Sequence, residues 1–160
     1  MKTGILSFIM IFVLALNVVN AQVTFGDGLN KAKSSNKKIL VNIYSEGDSW
    51  SQKMDNVYSS AGIKDYINSN FIYVKLNAGG SEKINYNGKE YTSAALAKFF
   101  GATGYPSHVF LNPDGSVIKY KYHGENLDVF PGFIDAPDFE KLLKYFAENT
   151  YLNTDLEKVL

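Results

Sequence analysis

The chain has 160 residues, with sixteen lysines balancing sixteen acidic residues, and it contains no arginine and no cysteine. A neutral chain without arginine offers no basic stripe for nucleic acid. The absence of cysteine excludes thiol nucleophiles, disulfide exchange, thiolate metal sites and lipid attachment to an N-terminal cysteine. The length is sufficient for one domain with its own core.

The first 21 residues have the pattern of an export signal. Lys2 precedes an almost unbroken apolar run from Ile5 to Leu16, and Val19-Asn20-Ala21 supplies residues of the kind that signal peptidase reads. The run has about a dozen residues, whereas a membrane-spanning helix needs about 20. We therefore predict a signal peptide over residues 1–21 and a periplasmic or secreted mature chain without a membrane span. The alternative is a retained N-terminal anchor.

Helix and strand patterns alternate through the first half of the mature chain. Ile39 to Tyr44 is a β-branched and aromatic run typical of a buried central strand. Asn87-Gly88 between alternating residues predicts a hairpin, because a type I′ turn needs positive φ at both positions. The predicted elements are a helix over 29–35 with Asp27 as its cap, a strand over 39–44, helices from about 51 and over 62–68, a strand over 71–76 and a hairpin over 84–91.

The second half predicts one more helix, a strand pair and a final helix. Thr92 is the predicted cap of a helix over 93–100. A strand over 107–111 and a tight turn precede an antiparallel return over 117–122, and residues 124–136 are predicted to be irregular. Asp138 is predicted to open an amphipathic helix. This order favours a mixed sheet with helices on both faces.

Three groups of residues together match the pattern of one known family. They are Lys38–Tyr44 with Gln52-Lys53-Met54, Asn87–Thr92 with Ala95–Gly101, and Gly104–Gly115. These segments resemble the thioredoxin superfamily, and specifically its exported thioredoxin-related branch. The resemblance implies a thioredoxin-like α/β fold with a central mixed sheet, helices on both faces and an inserted β-hairpin. We predict such a domain over 22–149, followed by a C-terminal tail over 150–160 with no obvious place in the core.

The functional positions of the family are replaced in this sequence. The resemblance places its two active cysteines at Asp48 and Ser51, and its buried carboxylate at Asn42. An amide does not act as a general base near neutral pH. We therefore predict a protein without redox activity.

The peptide-binding part of the family's cleft does not need thiols. The Tyr105-Pro106 step is expected by resemblance to be a cis peptide, in a loop that gives the family backbone partners for an extended peptide. The predicted groove consists of Asp48, Ser49, Trp50, Ser51, Tyr105 and Pro106. The simpler alternatives are that Asp48 or Ser49 only caps the following helix, and that Trp50 folds onto its own domain.

The two histidines give weak support for catalysis or metal binding. His108 lies on a predicted strand, where we expect a partly buried and hydrogen-bonded side chain. Nothing in the spacing supports a triad of Asp48, Ser51 and His108. His123 is expected in a loop, and the pair lacks the spacing of metal ligands. We predict no metal and no cofactor.

Three functions remain open at the level of sequence. The favoured one is a binding module that holds a peptide segment or an envelope protein in the groove. The second is an accessory factor of a periplasmic thiol-redox or protein-folding pathway. The third, disfavoured by the missing cysteines, is an enzyme of unrelated chemistry in the same cleft. No oligomeric state is favoured.

Overall fold

The computed structural model of the chain describes residues 23–160 and centres on a four-stranded mixed sheet. The predicted signal peptide lies outside the described residues. The helices are α1 (Phe25–Ser35), α2 (Ser49–Ser59), α3 (Ala61–Asn70), α4 (Ser93–Phe99) and α5 (Ala136–Ala147). The strands are β1 (Lys38–Tyr44), β2 (Phe71–Asn77), β3 (Lys83–Tyr86), β4 (Lys89–Thr92), β5 (Ser107–Leu111), β6 (Tyr120–Tyr122), β7 (Glu125–Leu127) and β8 (Phe130–Pro131).

The strand order in the central sheet is β2-β1-β5-β8. β1 and β2 run parallel, while β5 is antiparallel to both β1 and β8. A parallel pair needs a crossover, which α2 and α3 provide between β1 and β2. The five inner residues of β1 are all buried, as expected for a strand covered on both faces.

Two hydrophobic cores lie on opposite faces of this sheet. One contains the apolar side chains of α2, α3 and α5, and the other those of α1 and α4. Neighbouring residues of β1 alternate between them, since Leu40 belongs to the first core and Val41 to the second. The predicted mixed sheet with helices on both faces is confirmed.

The inserted hairpin also forms as predicted. β3 and β4 pair antiparallel in a sheet of their own, with Tyr86 opposite Lys89. The turn residues Asn87 and Gly88 have φ values of 51° and 76°. This positive-φ pair is the reason that Asn-Gly is favoured in two-residue hairpin turns.

Two helices begin earlier than predicted, for the same reason. The α1 cap is Thr24, whose hydroxyl accepts a hydrogen bond from the Asp27 backbone N–H. The α5 cap is Asp135, which accepts from the Asp138 backbone N–H. In both helices the acidic residue predicted as the start occupies the first turn, where negative charge complements the helix dipole.

The predicted antiparallel return over residues 117–122 is wrong in most of its length. It touches β5 only through a bridge between Leu111 and Val117 and one hydrogen bond from the Ile118 N–H to the Phe110 carbonyl. β6 turns back on β7 through the positive-φ residues His123 and Gly124, and β8 pairs with β5 instead. The segment 124–136, predicted to be irregular, therefore contains two short strands.

Residues 150–160, for which the sequence suggests no obvious place in the core, fold back onto the domain. They form two short 3-10 turns, Thr150–Leu152 and Leu156–Lys158, and Leu156 is fully buried. The Tyr145 hydroxyl donates to the Thr154 carbonyl at 2.7 Å. An apolar side chain nine residues beyond the end of α5 carries no periodic signal of its own, because only a contact with the folded domain buries it.

Within residues 23–160, every helix falls short of the length and apolar character that crossing a bilayer requires.

Candidate functional site

The loop between β1 and α2 ends in a capped helix start. Gly47 has a φ of 78°, and the Asp48 carboxylate accepts a hydrogen bond from the Ser51 backbone N–H at 2.7 Å. Ser51 is buried, and its hydroxyl accepts from the Ser45 N–H at 3.4 Å. The side chains at the two vacated cysteine positions thus stabilise the local backbone, which is the capping role considered for Asp48.

Trp50 lies in the first turn of α2 and is 49% exposed. Its ring is tilted against Phe133, with 5.5 Å between the ring centroids. The Lys53 ammonium lies 4.1 Å from the indole ring, within the range of a cation–π contact. Trp50 therefore packs partly on its own domain and still presents about half of its surface to solvent.

The Tyr105-Pro106 peptide is cis, as the resemblance implies. Pro106 is buried, and its carbonyl accepts a hydrogen bond from the Gly132 N–H at 2.7 Å. That bond joins the loop before β5 to the segment after β8. The sequence offered no local signal for this contact, because the two loops are far apart along the chain.

These two loops and the start of α2 enclose an open groove of about 330 Å³. Its lining is mainly aromatic, and two of its four lining residues, Trp50 and Tyr105, belong to the predicted groove. The remaining predicted residues, Asp48, Ser49, Ser51 and Pro106, are neighbours of these two along the chain and do not line it. The lining residues are Trp50, Tyr105, Gly132 and Phe133.

Phe133 and Gly132 are the groove residues that sequence reasoning did not include. Phe133 is 36% exposed and contacts Trp50. Both residues lie in a segment without helical or strand periodicity, so no pattern in the sequence directs them to the groove. Their position follows from the pairing of β8 with β5.

His108 lies under the groove and holds one of its walls. Its Nδ1 is 2.6 Å from the Tyr58 hydroxyl, and its Nε2 is 3.1 Å from the Gly132 carbonyl. A carbonyl only accepts, so these partners assign the proton to Nε2 and leave Nδ1 to accept from Tyr58. Burial lowers the pKa of His108 to about 4. The imidazole is therefore neutral and bridges α2 to the groove.

The side chains of the conceivable triad are not assembled. His108 uses both ring nitrogens for Tyr58 and Gly132, while Ser51 and Asp48 are engaged at the start of α2. The expectation of a hydrogen-bonded His108 is confirmed, and the side chain is fully buried. Nucleophilic catalysis requires contact between the hydroxyl and its base, and this arrangement provides none.

Asn42 occupies the position of the family's buried carboxylate and is itself buried. Its Nδ2 donates to the Tyr73 hydroxyl at 3.0 Å, whereas its Oδ1 has no hydrogen-bond partner. An amide does not ionise, so the position provides no proton-transfer group near the vacated cysteines.

Among the residues from 23 onward, no group of three or more histidine, aspartate or glutamate side chains is arranged to share a metal ion. The polar residues around the groove instead serve the local backbone.

The sheet order, the cis-proline loop and the capped helix after β1 define a thioredoxin-fold protein. The chain belongs to the thioredoxin-like domain family, whose model matches residues 25–147. Since the sequence contains no cysteine, this member has no thiol with which to exchange disulfides. No curated protein matches the chain.

Solved structures show the same fold at low sequence identity. A thioredoxin-fold protein from Helicobacter pylori is 20% identical, with a TM-score of 0.59 over 78% of this chain and 80% of that one. A thioredoxin from Thermus thermophilus is 19% identical, with a TM-score of 0.55 over 78% and 85% of the two chains. A disulphide isomerase from Xylella fastidiosa is 16% identical, with a TM-score of 0.51 over 78% and 87%. At these identities the likeness concerns the fold.

Proposed function

We propose that this chain is a non-catalytic, exported thioredoxin-like module that binds an extended peptide segment of an envelope protein. The observation that carries the proposal is the half-exposed Trp50, paired with Phe133 beside the cis Tyr105-Pro106 loop, in a chain without cysteine. Export is supported by the apolar pattern of residues 1–21.

The aromatic lining favours a protein segment as the ligand. Tryptophan and tyrosine are enriched among the residues that contribute most to binding interfaces, because they remove a large apolar area from water and retain a polar atom for orientation. Trp50 and Tyr105 both line the groove, and neither side chain carries a formal charge that a partner would have to desolvate. An apolar or aromatic side chain of a partner is the group that such a surface favours.

The backbone beside the groove supports an extended ligand. Peptides that bind as an added strand rely on main-chain hydrogen bonds, with side-chain pockets for specificity. The cis-proline loop is held by the bond between Gly132 and Pro106, and Gly132 is held in turn by His108. A groove fixed in this way binds without first being ordered, which reduces the entropic cost of association.

The second candidate is an accessory factor of a thiol-redox or folding pathway. It is favoured by the fold likeness to a protein described as a disulphide isomerase. Such a factor recognises clients through the same groove without reacting with them. The identity of the bound segment separates the two candidates, because a client of a disulfide pathway contains cysteine.

The direct test is photo-crosslinking in the native compartment from position 49, at the exposed edge of the groove. A photoreactive residue replaces Ser49, and a control probe replaces the exposed Lys144 on α5. We expect a discrete protein to be captured from position 49 and not from position 144. Capture from neither position contradicts the proposal.

Two substitutions in the same experiment distinguish specific binding in the groove from nonspecific hydrophobic association. Trp50→Ala should abolish capture from position 49, because it removes the largest aromatic surface of the groove. Leu152→Ala removes an exposed apolar side chain elsewhere, since Leu152 is 67% exposed, and capture should persist. If capture is lost equally in both variants, or persists in both, the groove is not the binding site.

A further inference from the structure

A second concave site lies at the opposite end of α2 from the groove. It has a volume of about 360 Å³ and is enclosed by α2, α3 and the edge strand β2. It shares no lining residue with the groove, and Tyr58 is about 12 Å along the helix from Trp50 at 1.5 Å per residue. The lining residues are Asp55, Tyr58, Ser59, Lys64, Ile67, Asn68, Tyr73 and Lys75.

The inner wall of this pocket is apolar and aromatic. Tyr58 and Ile67 are buried, and the Tyr58 and Tyr73 rings lie 4.9 Å apart between centroids, at an angle of 45°. Tilted rings at this distance present both a face and an edge, which suits a further aromatic group. Ligand pockets commonly span about 300–1,000 Å³, and a cavity of about 150 Å³ already holds benzene. The pocket therefore has room for one ring and a short substituent.

The rim of the pocket carries a surplus of positive charge. The Lys75 ammonium is 2.9 Å from one Asp55 carboxylate oxygen and 3.0 Å from the other, so these charges neutralise each other. Lys64 is exposed and forms no ion pair with the acidic side chains of residues 23–160. Its ammonium is the uncompensated charge of the site, which favours an anion.

One lining residue of the pocket, Tyr73, has hydrogen-bonding capacity left over. Its hydroxyl lies 3.0 Å from the amide of Asn42, which is buried behind it. In one orientation of that amide Tyr73 accepts and keeps its own proton to donate, and in the other Tyr73 donates and keeps a lone pair to accept. In both cases the hydroxyl can form one more hydrogen bond with a polar group in the pocket.

We propose that this pocket binds a small aromatic carboxylate, independently of the peptide groove. The ring lies against Tyr58, Ile67 and Tyr73, and the carboxylate faces Lys64 with Lys75 behind it. The Tyr73 hydroxyl supplies one further hydrogen-bonding group inside the pocket. The combination of an apolar wall with a few convergent polar groups is the usual composition of a small-molecule site.

The test is a titration of the folded protein with phenylacetate, followed by amide chemical shifts in NMR spectra. We expect saturable shifts at Tyr58, Ile67 and Tyr73, with a dissociation constant of about 1 mM or tighter. Phenylacetamide, which has nearly the same shape without the charge, should bind more weakly. The absence of saturable shifts at these residues, or equal binding of the neutral amide, overturns the proposal.

Matched lysine variants test whether the Lys64 ammonium interacts with the ligand carboxylate. Lys64→Ala should weaken phenylacetate binding by about fivefold, the upper range for a solvent-exposed ion pair. Lys141→Ala removes another exposed lysine, from α5, and should leave binding unchanged. Equal effects of the two variants contradict a specific carboxylate site. Trp50→Ala should also leave phenylacetate binding intact, so failure of the groove and failure of this pocket are distinguishable.

Discussion

Two buried polar residues lie side by side on the neighbouring central strands β1 and β5. Asn42 on β1 is the register partner of His108 on β5, and both are almost completely removed from solvent. His108 satisfies both ring nitrogens, whereas Asn42 satisfies only one side of its amide. Burying such groups is costly unless they are hydrogen-bonded. The bonds of His108 to Tyr58 and Gly132 therefore form a structural network inside the core.

Neutral burial of His108 makes the stability of the fold depend on pH. The pKa of His108 is lowered from 6.5 to about 4, chiefly by burial, so the unfolded chain binds the proton more tightly than the folded one. The contribution of neutral His108 to the free energy of unfolding is complete above the unfolded-state pKa. It is lost as the pH falls from 6.5 towards 4. The loss amounts to about 3 kcal/mol at 1.36 kcal/mol per pH unit.

Urea unfolding over the range from about pH 7 to pH 4 measures this effect. His108→Gln removes the titrating group and should flatten the decline in unfolding free energy on acidification. His123→Gln, at the exposed turn between β6 and β7, should keep the decline attributed to His108. The same pH slope in the wild type and His108→Gln contradicts a neutral buried imidazole.

At the scale of elements, α2 connects the two candidate sites. Its N-terminal turn presents Trp50 to the groove, and its C-terminal turn presents Tyr58 to the second pocket. Tyr58 also donates to His108, which holds the Gly132 carbonyl. Each end of α2 therefore contributes a side chain to one of the two candidate sites, Trp50 to the groove and Tyr58 to the second pocket.

The C-terminal segment is an integral element, because Leu156 packs into the core formed with α5. Leu156→Ala should lower the unfolding free energy by about 2–5 kcal/mol, the range for truncating a buried leucine. Leu152→Ala, at an exposed position three residues into the same segment, should change it by about 0.5 kcal/mol or less. Chemical denaturation of the two variants gives both values, and a negligible effect of Leu156→Ala shows that the segment is dispensable.

At the scale of the whole molecule, the central sheet belongs to two cores at once. β1 contributes side chains to both faces, and no disulfide joins any part of the chain. Loss of one core exposes the other face of the same strands, so we expect cooperative unfolding.

We expect the urea-unfolding transitions measured by two independent probes to coincide. The fluorescence of Trp50, the sole tryptophan, reports on the groove side, while far-UV circular dichroism reports on all helices and strands. Both signals should change at the same urea concentration, and a thiol reductant should not alter the midpoint. Separate midpoints mean that the two faces unfold independently.

The local sequence predicted those elements whose signal is contained in a few adjacent residues. The Asn87-Gly88 turn needs positive φ wherever it occurs, and the buried run in β1 reads as a central strand without further context. The helices α1 and α5 begin earlier than the acidic residues Asp27 and Asp138 indicate, because Thr24 and Asp135 upstream of them are equally favoured cap types.

The candidate groove was predicted only in part. Trp50 and Tyr105 lie near motifs that resemble the family, and both line it. Phe133 and Gly132 reach it through the pairing of β8 with β5, which depends on contacts between residues distant along the chain. The lining of the second pocket combines two helices and a strand, none of which signals a site alone.

The sequence by itself determined the absence of thiol chemistry, the mixed sheet with helices on both faces and the positions of most helices and strands, since these follow from composition and short-range patterns, and its resemblance to the thioredoxin superfamily implied the fold. The tertiary structure alone decided that β8 replaces the expected return strand, that Leu156 belongs to the core, and that His108 is neutral. Each of these depends on which side chains and backbone groups meet after folding, because burial and hydrogen bonding at such contacts are properties of the assembled molecule.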